Sequence, residues 1–330
     1  MTDGYRFDVM SGDWVAVVPG RKKAHAMRRG RVDLPSPEGS CPFCPGNEAE
    51  TEATVAALPE SGPWQVRVVN NLFPLASGLT AAGVSTEDRV SPLVRPAVGA
   101  HEVLIEHPGH DLDLPDYTEE HLRAVLGVYR DRARALQALP GAQTVAVFRN
   151  RGRRAGSSQP HPHGQIVATP VPAPRAVRRQ ALAAAHFAEH GATLLETQIA
   201  DERAAGHRVV LDDGRAAAFV PFAPRQNHHV RIATAGARGM FGDASDEQLV
   251  HVAGLLRGVL RRLRAATGGV PYNILFESPP VADREDPASF WFLDVLPRRG
   301  GPAGFEHSTG IHVIIEDPEA SAAMLRDHPG

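Results

Sequence analysis

Two long amphipathic stretches, set in matching surroundings, constrain the fold of this 330-residue chain more than any other feature. In the first, Thr118 is placed to cap a helix whose opening turn holds Glu119 and Glu120. Leu122, Val125, Leu126, Tyr129, Ala133 and Leu136 then recur at helical spacing up to Pro140-Gly141. The second starts at Ser245, with Gln248 completing a capping box, and its stripe of Leu249, Val252, Leu256, Val259, Leu260 and Leu263 ends at Gly268-Gly269. Strand-like segments flank both: HEVLIEHP (101–108) precedes the first and AAFVPFAP (217–224) the second. TVAVFRN (144–150) and YNILFES (272–278) follow, then QIVATP (165–170) and DVLPR (294–298). For the helices and the strands that follow them the offset stays at 127 to 129 residues, the mark of an internal duplication. The rival reading is a coincidence between two generic amphipathic helices. The pattern predicts an α+β fold of two tandem halves, residues 1–170 and 171–330, each an antiparallel sheet packed by a long helix. VPAPRAVRR (171–179) is expected to lead from one half into the other.

Composition narrows the function. Hydrophobic residues make up 42% and charged residues 22%, enough apolar content for a sizeable core. A net charge of -3 provides no broad basic surface, so nucleic acid is not an expected partner. No apolar run approaches the roughly 18 residues that span a bilayer, and MTDGYRFDVM has no signal-peptide pattern, so a cytoplasmic location is expected. In a reducing compartment the only two cysteines, Cys41 and Cys44, suggest metal or redox chemistry.

The densest chemistry lies in NRGRRAGSSQPHPHGQ, Asn150 to Gln165. A Gly- and Ser-rich loop offers backbone N–H groups and hydroxyls to phosphate oxygens without bulky side chains. If the segment after it is extended, His161, His163 and Gln165 point to one face. An imidazole nucleophile beside an amide and such a loop suits substitution at phosphorus. The bland reading is a surface loop with incidental histidines. CPFC, Cys41 to Cys44, has the spacing of half a zinc site. Histidines must then supply the other two ligands, and spacing alone does not choose among 16 of them. The rival is a redox or unpaired thiol pair.

CPFCPGNE, VVNNLF, HEVLIEHPGHD and SSQPHPHGQ occur in the same order as in the galactose-1-phosphate uridylyltransferase family of the histidine-triad superfamily, and the chain resembles that family over nearly its whole length. The resemblance implies two histidine-triad-like halves, the first catalytic and the second degenerate but completing the substrate pocket. It implies that His163 attacks the α-phosphorus of a nucleotide sugar, releasing sugar 1-phosphate and leaving a nucleotidyl-histidine for a second phosphate acceptor. Gln165 matches the glutamine that hydrogen-bonds a phosphoryl oxygen and favours transfer over hydrolysis. Gly156, Ser157 and Ser158 fall on the phosphate-contacting loop. Asn71, Phe73 and Asn150 match nucleoside-pocket positions, and Arg21 matches a phosphate-side arginine. Cys41, Cys44, His110 and His161 match the ligands of one structural zinc ion, with His107 competing for the His110 role and His101 assigned a structural one. A homodimer is also implied, with Arg21 reaching the neighbouring subunit's site.

The departures sharpen the expectation. In the second half the triad positions read Phe290, Phe292 and Asp294, so no second nucleophile is expected. Arg179 stands where some relatives carry a metal-binding glutamate, and no second metal is expected. His228 and His229 are assigned to a strand end. Near the C-terminus, Gly304-Phe305-Glu306 replaces the Gly-Tyr-Glu of the galactose enzymes and looks more like the ADP-sugar phosphorylases. Phe305 and Glu306 are the candidate sugar contacts. The leading expectation is a ping-pong uridylyltransferase that moves UMP between glucose 1-phosphate and galactose 1-phosphate. Its rivals are an ADP-sugar phosphorylase, in which inorganic phosphate accepts AMP, and a non-catalytic nucleotide-binding protein.

Overall fold

The computed structural model describes residues 4–19, 41–79 and 97–330, so the expectation placed on Arg21 lies outside the described residues. β1 (Gly4–Asp8) and β2 (Asp13–Val17) form a hairpin. The main sheet takes β3 (Thr54–Leu58), β4 (Val66–Asn70), β6 (Val98–Ile105), β7 (Thr144–Arg151) and β8 (His163–Thr169) from the first part of the chain. The two-residue β5 (Ser77–Gly78) pairs with β6. From the later part come β9 (Val209–Asp212), β10 (Ala216–Phe219), β11 (Val230–Thr234), β12 (Tyr272–Glu277) and β13 (Phe292–Pro297). β14 (His312–Ile314) returns to lie parallel to β2.

The order across the main sheet is β3-β4-β6-β8-β7-β12-β13-β11-β10-β9. Outward from the central pair β7 and β12, each strand has a mirror partner: β8 with β13, β6 with β11, β4 with β10, β3 with β9. The duplication is therefore built as one continuous sheet, closed at its centre by antiparallel pairing of Arg151 with Tyr272 through Val147 with Phe276. The counterpart of HEVLIEHP corrects the sequence reading. It is β11, with His101 matching His229, whereas AAFVPFAP supplies β10, one strand further out. β11 is buried at all five positions, so it lacks the alternation that marks a half-exposed strand.

Helix α1 (Glu119–Gln137) begins where the Thr118 hydroxyl accepts from the His121 amide. VPAPRAVRR is not a plain connector: Pro174, suited by its fixed φ to a first helical turn, opens α2 (Pro174–His190). α3 (Leu194–Ala205) follows behind a Thr193–Glu196 capping box. α4 (Asp246–Thr267) has the expected Ser245–Gln248 box and stops at Gly268, whose φ of 73° only glycine adopts freely. α5 (Gly304–Thr309) and α6 (Pro318–Asp327) complete the chain.

α1 packs on β4, β7 and β8, α4 packs on β9, β10 and β11, and the two helices touch. They cover one face of the sheet, over a single apolar core that includes Leu122, Leu126, Ile166, Leu256, Val259 and Ile274. On β8 the period of two sends Ile166 and Ala168 into that core and leaves His163 and Gln165 on the opposite face. α2 and α3 meet that opposite face in the second half: Arg179 lies over the Phe292 ring at 5.2 Å, and Gln198 accepts from Arg231. No helix among the described residues is long and apolar enough to cross a membrane.

Candidate active site and metal centre

Gly164 explains how His163 is held. A Cβ at 164 would overlap the Tyr129 hydroxyl of α1, so the backbone of β8 sits directly on the helix layer. That hydroxyl donates to Glu106 at 2.8 Å, and Arg149 donates from Nε to both Glu106 oxygens at 3.0 and 2.8 Å. Arg149 also reaches Asp113 at 2.9 Å and the Tyr272 hydroxyl at 3.1 Å, and Tyr272 donates to Asp113 at 2.8 Å. This buried network fills both sides of each charge and joins the two halves beneath the strand.

On the far face, His163 is buried, with its ring centroid 5.3 Å from that of Phe43, the second spacer residue of CPFC. Its Nδ1 lies 2.8 Å from the His161 carbonyl. A carbonyl can only accept, so Nδ1 carries the proton and Nε2 keeps its lone pair. Burial pushes the His163 imidazole down to about 4, outweighing the carbonyl bond, and the Arg149 cation acts with burial. The ring is thus neutral near pH 7, as a nucleophile at phosphorus must be.

Cys41, Cys44, His110 and His161 are all buried, and their donor atoms lie within 4.8 Å of one another. Cys44 Sγ is 3.3 Å from His110 Nδ1 and 3.6 Å from His161 Nδ1. A tetrahedral zinc ion with ordinary Zn–S and Zn–N lengths requires S···N edges of about 3.5 Å. Nε2 of His161 lies 2.8 Å from the His107 carbonyl, which puts the ring proton there and turns Nδ1 to the cluster. The choice between His107 and His110 follows: His107 contributes its carbonyl, while its ring stacks on Tyr117 at 5.2 Å. The donor set fits a divalent ion of zinc type.

Gln165 Oε1 lies 2.8 Å from Nε2 of His101, which in turn meets the Asn71 amide and the Leu75 N–H. Asn71 Oδ1 accepts from Phe73 N at 2.9 Å, shaping a loop that leaves Phe73 84% exposed between exposed Leu72 and Leu75. Asn150 Oδ1 accepts from Asn273 at 2.7 Å, and that side chain also donates to the Ala155 carbonyl at 2.7 Å. Asn150 is thereby drawn beneath Gly156, whose φ is 94°. Ser157 is buried and donates to the Gln159 carbonyl, while Ser158 is exposed. Phe305 and Glu306 make no hydrogen bond to these residues. Glu306 accepts from the Ala303 and Val313 amides, and no hydrogen bond links either residue to β8.

The mirrored place in the second half holds a different chemistry. Asp294 is fully buried and meets Arg231 at 2.9 Å, Arg225 at 2.6 Å and His229 Nε2 at 3.0 Å. Arg179 and Arg225 pair with Glu277 at 2.9 and 3.0 Å. His228, at a φ of 59°, bonds the Ser321 hydroxyl at 2.8 Å. Sequence reasoning missed Phe43, although it lies inside CPFC, and Asn273, which nothing in the sequence marked. It assigned His101 a structural role and matched its segment to AAFVPFAP, so the likeness of His101 to His229 emerges only from the strand order of the sheet.

The family described as galactose-1-phosphate uridyl transferase, N-terminal domain, matches residues 2–172. The chain is 29% identical to the ADP-glucose phosphorylase of Arabidopsis thaliana, over 98% of this chain and 92% of that protein. It is 32% identical to the galactose-1-phosphate uridylyltransferase of Streptomyces lividans, over 62% of this chain and half of that one. Among solved structures, an Arabidopsis ADP-glucose phosphorylase with bound ADP-glucose superposes with a TM-score of 0.86 at 28% identity, covering 99% of each chain. A uridylyltransferase structure gives 0.73 at 26% identity, over 98% of this chain and 97% of that one.

Proposed function

We propose that this chain, which belongs to the galactose-1-phosphate uridyl transferase family, moves AMP from an ADP-sugar to inorganic phosphate through a covalent nucleotidyl-His163. As a member of that family it is a nucleotidyltransferase. Nε2 of His163 attacks the α-phosphorus, the bond to the β-phosphate oxygen breaks, and sugar 1-phosphate leaves. Inorganic phosphate then attacks the same phosphorus, the P–N bond breaks, and ADP leaves with Nε2 restored. Gln165 and the Gly156–Ser158 loop are assigned the phosphoryl oxygens, and Asn71, Phe73 and Asn150 the nucleoside. One observation carries the chemistry: the neutral, carbonyl-held ring of His163, whose free nitrogen is Nε2.

Two observations favour ADP-sugar and phosphate over UDP-sugar and hexose 1-phosphate. Over nearly the full length the chain is 29% identical to an ADP-glucose phosphorylase and 24% to the uridylyltransferase of Thermotoga maritima, and the phosphorylase structure superposes with a TM-score of 0.86 against 0.73. Phe305 also replaces the tyrosine of the galactose enzymes. The uridylyl reading keeps the support of the family itself and of several uridylyltransferase relatives. Cys41, Cys44, His110 and His161 would hold zinc, which supplies rigidity to the start of β8 and takes no part in bond making.

A turnover panel decides between them. With ADP-glucose and phosphate, ADP and glucose 1-phosphate are expected. Turnover confined to UDP-glucose plus galactose 1-phosphate would establish the uridylyl reading. Labelled nucleotide sugar should leave an acid-labile, base-stable adduct on the protein, and failure with both sugars would reject catalysis.

A further inference from the structure

His101 touches three groups at once, and their chemistry fixes its proton. The Leu75 backbone N–H donates to Nδ1 at 3.0 Å. An N–H can only donate, so Nδ1 is the acceptor nitrogen, and a neutral ring must then carry its proton on Nε2. That nitrogen lies 2.8 Å from Gln165 Oε1, the acceptor it needs. Asn71, whose oxygen is taken by the Phe73 amide, has only donors left: its Nδ2 lies 3.4 Å from Nδ1, the nitrogen that can accept, and 3.0 Å from Nε2, where two donors face each other and no hydrogen bond forms.

We propose that His101 is a positioning residue that holds the Gln165 carboxamide with its oxygen turned away and its NH2 turned to the reacting phosphoryl group, and ties it to the Asn71–Leu75 loop. A glutamine amide has two orientations that differ by exchanging donor and acceptor. Only the one with NH2 forward stabilises negative charge growing on a phosphoryl oxygen; the other sets a carbonyl dipole against it. His101 selects the first by offering Oε1 a donor. The second half retains the same geometry without the chemistry. There His229 Nδ1 accepts from the Arg225 amide at 3.2 Å, and its Nε2 faces Asp294, the residue in the place of Gln165. The arrangement of a backbone N–H, an imidazole and the third triad position is thus built twice by one fold, and it is not an accident of one loop.

The inference rests on the transfer reading of Gln165, so the test separates the two. Adduct formation on His163 is timed in single turnover at saturating ADP-glucose, or UDP-glucose if only that labels the wild type. Four chains are compared: wild type, His101→Ala, Gln165→Ala and the double variant. His101→Ala and Gln165→Ala are each expected to slow the step about 10- to 100-fold, as misplacing a reacting geometry does. The double variant should be within about twofold of Gln165→Ala, because removing the amide leaves nothing to orient. His101→Gln, which puts an N–H near the place of Nε2, should regain most of the rate, a rescue that a stability effect would not give. Zinc content and thermal midpoint report folding separately. If His101→Ala does not fold, His101→Gln and the shorter His101→Asn carry the comparison, with the first fast and the second slow. Penalties that multiply, or a full-rate His101→Ala, overturn this inference while leaving the transfer reading intact. A wild-type chain that labels with neither sugar overturns both.

Discussion

At the scale of single residues, His163 and Gly164 show how one strand position serves chemistry and the next serves packing. The His163 ring is held by a main-chain carbonyl, so replacing it need not disturb β8. His163→Gly is expected to abolish adduct formation and turnover while leaving the fold and metal content unchanged; labelling of that variant by nucleotide sugar would rule out His163 as the nucleophile. Gly164 is the opposite case. Its missing Cβ makes room for the Tyr129 hydroxyl that completes the Glu106–Arg149 network. Gly164→Ala should destabilise the protein by about 1–3 kcal/mol through overpacking, read as a lowered thermal midpoint. An unshifted midpoint would mean that α1 can move away freely. HPHGQ supplies both the proposed nucleophile and the amide assigned to the phosphoryl oxygen within five residues. Which way the amide points did not follow from it, because His101 reaches Gln165 across β6 and β8, 64 positions apart.

At the scale of elements, the decisive unit is β8 and the loop before it. Its first residue is the proposed nucleophile, and two positions earlier His161 belongs to the four-donor cluster with Cys41, Cys44 and His110. A metal there would clamp the segment from residue 41 against the entry to the strand. Cys41→Ser should lose bound zinc and lower the thermal midpoint together, since structural metal binding is coupled to folding. Full zinc occupancy in that variant would refute the ligand set. Brief chelator treatment should slow adduct formation only as fast as zinc is lost, because no metal takes part in bond making; immediate loss of activity with zinc still bound would contradict this. The helices α1 and α4 were readable because their apolar stripes and caps are local signals. α2 and α3 were not, because their value to the protein lies in covering the second half.

At the scale of the whole molecule, the two halves of a mirrored sheet give their outer faces different fates. In the first half the face bearing His163 and Gln165 is assigned to the nucleotide. In the second, α2 and α3 close over Phe292 and Asp294, and the space is filled by Arg179, Arg225, Arg231 and Glu277. Burial pushes the Glu277 carboxyl upward, but Arg179 and Arg225 outweigh it and hold it down at about 2; Asp294 is held well below its ordinary value by Arg231 and His229 against the same burial. Both folded values lie below the unfolded ones, so their stabilisation is complete above the unfolded range and is lost as pH falls through the folded range. Burial likewise keeps His229 below its ordinary value, which favours the unfolded chain below about pH 6.5. The thermal midpoint should therefore fall with acidification, most steeply between about pH 4.5 and 2. A flat profile across that range would show that the network contributes nothing. The sequence by itself determined the local features: the capped helices, the cysteine pair, the Gly-Ser loop and the histidine doublet, each written within a few neighbouring residues, and the offset at which the helical pattern recurs. Only the tertiary structure decided that the halves share one sheet, that His110 and not His107 faces the thiols, that Asn273 supports Asn150, and that the second site is sealed. Each of these depends on contacts between strands and helices far apart in the chain, where pairing and close packing, not local pattern, select the partner.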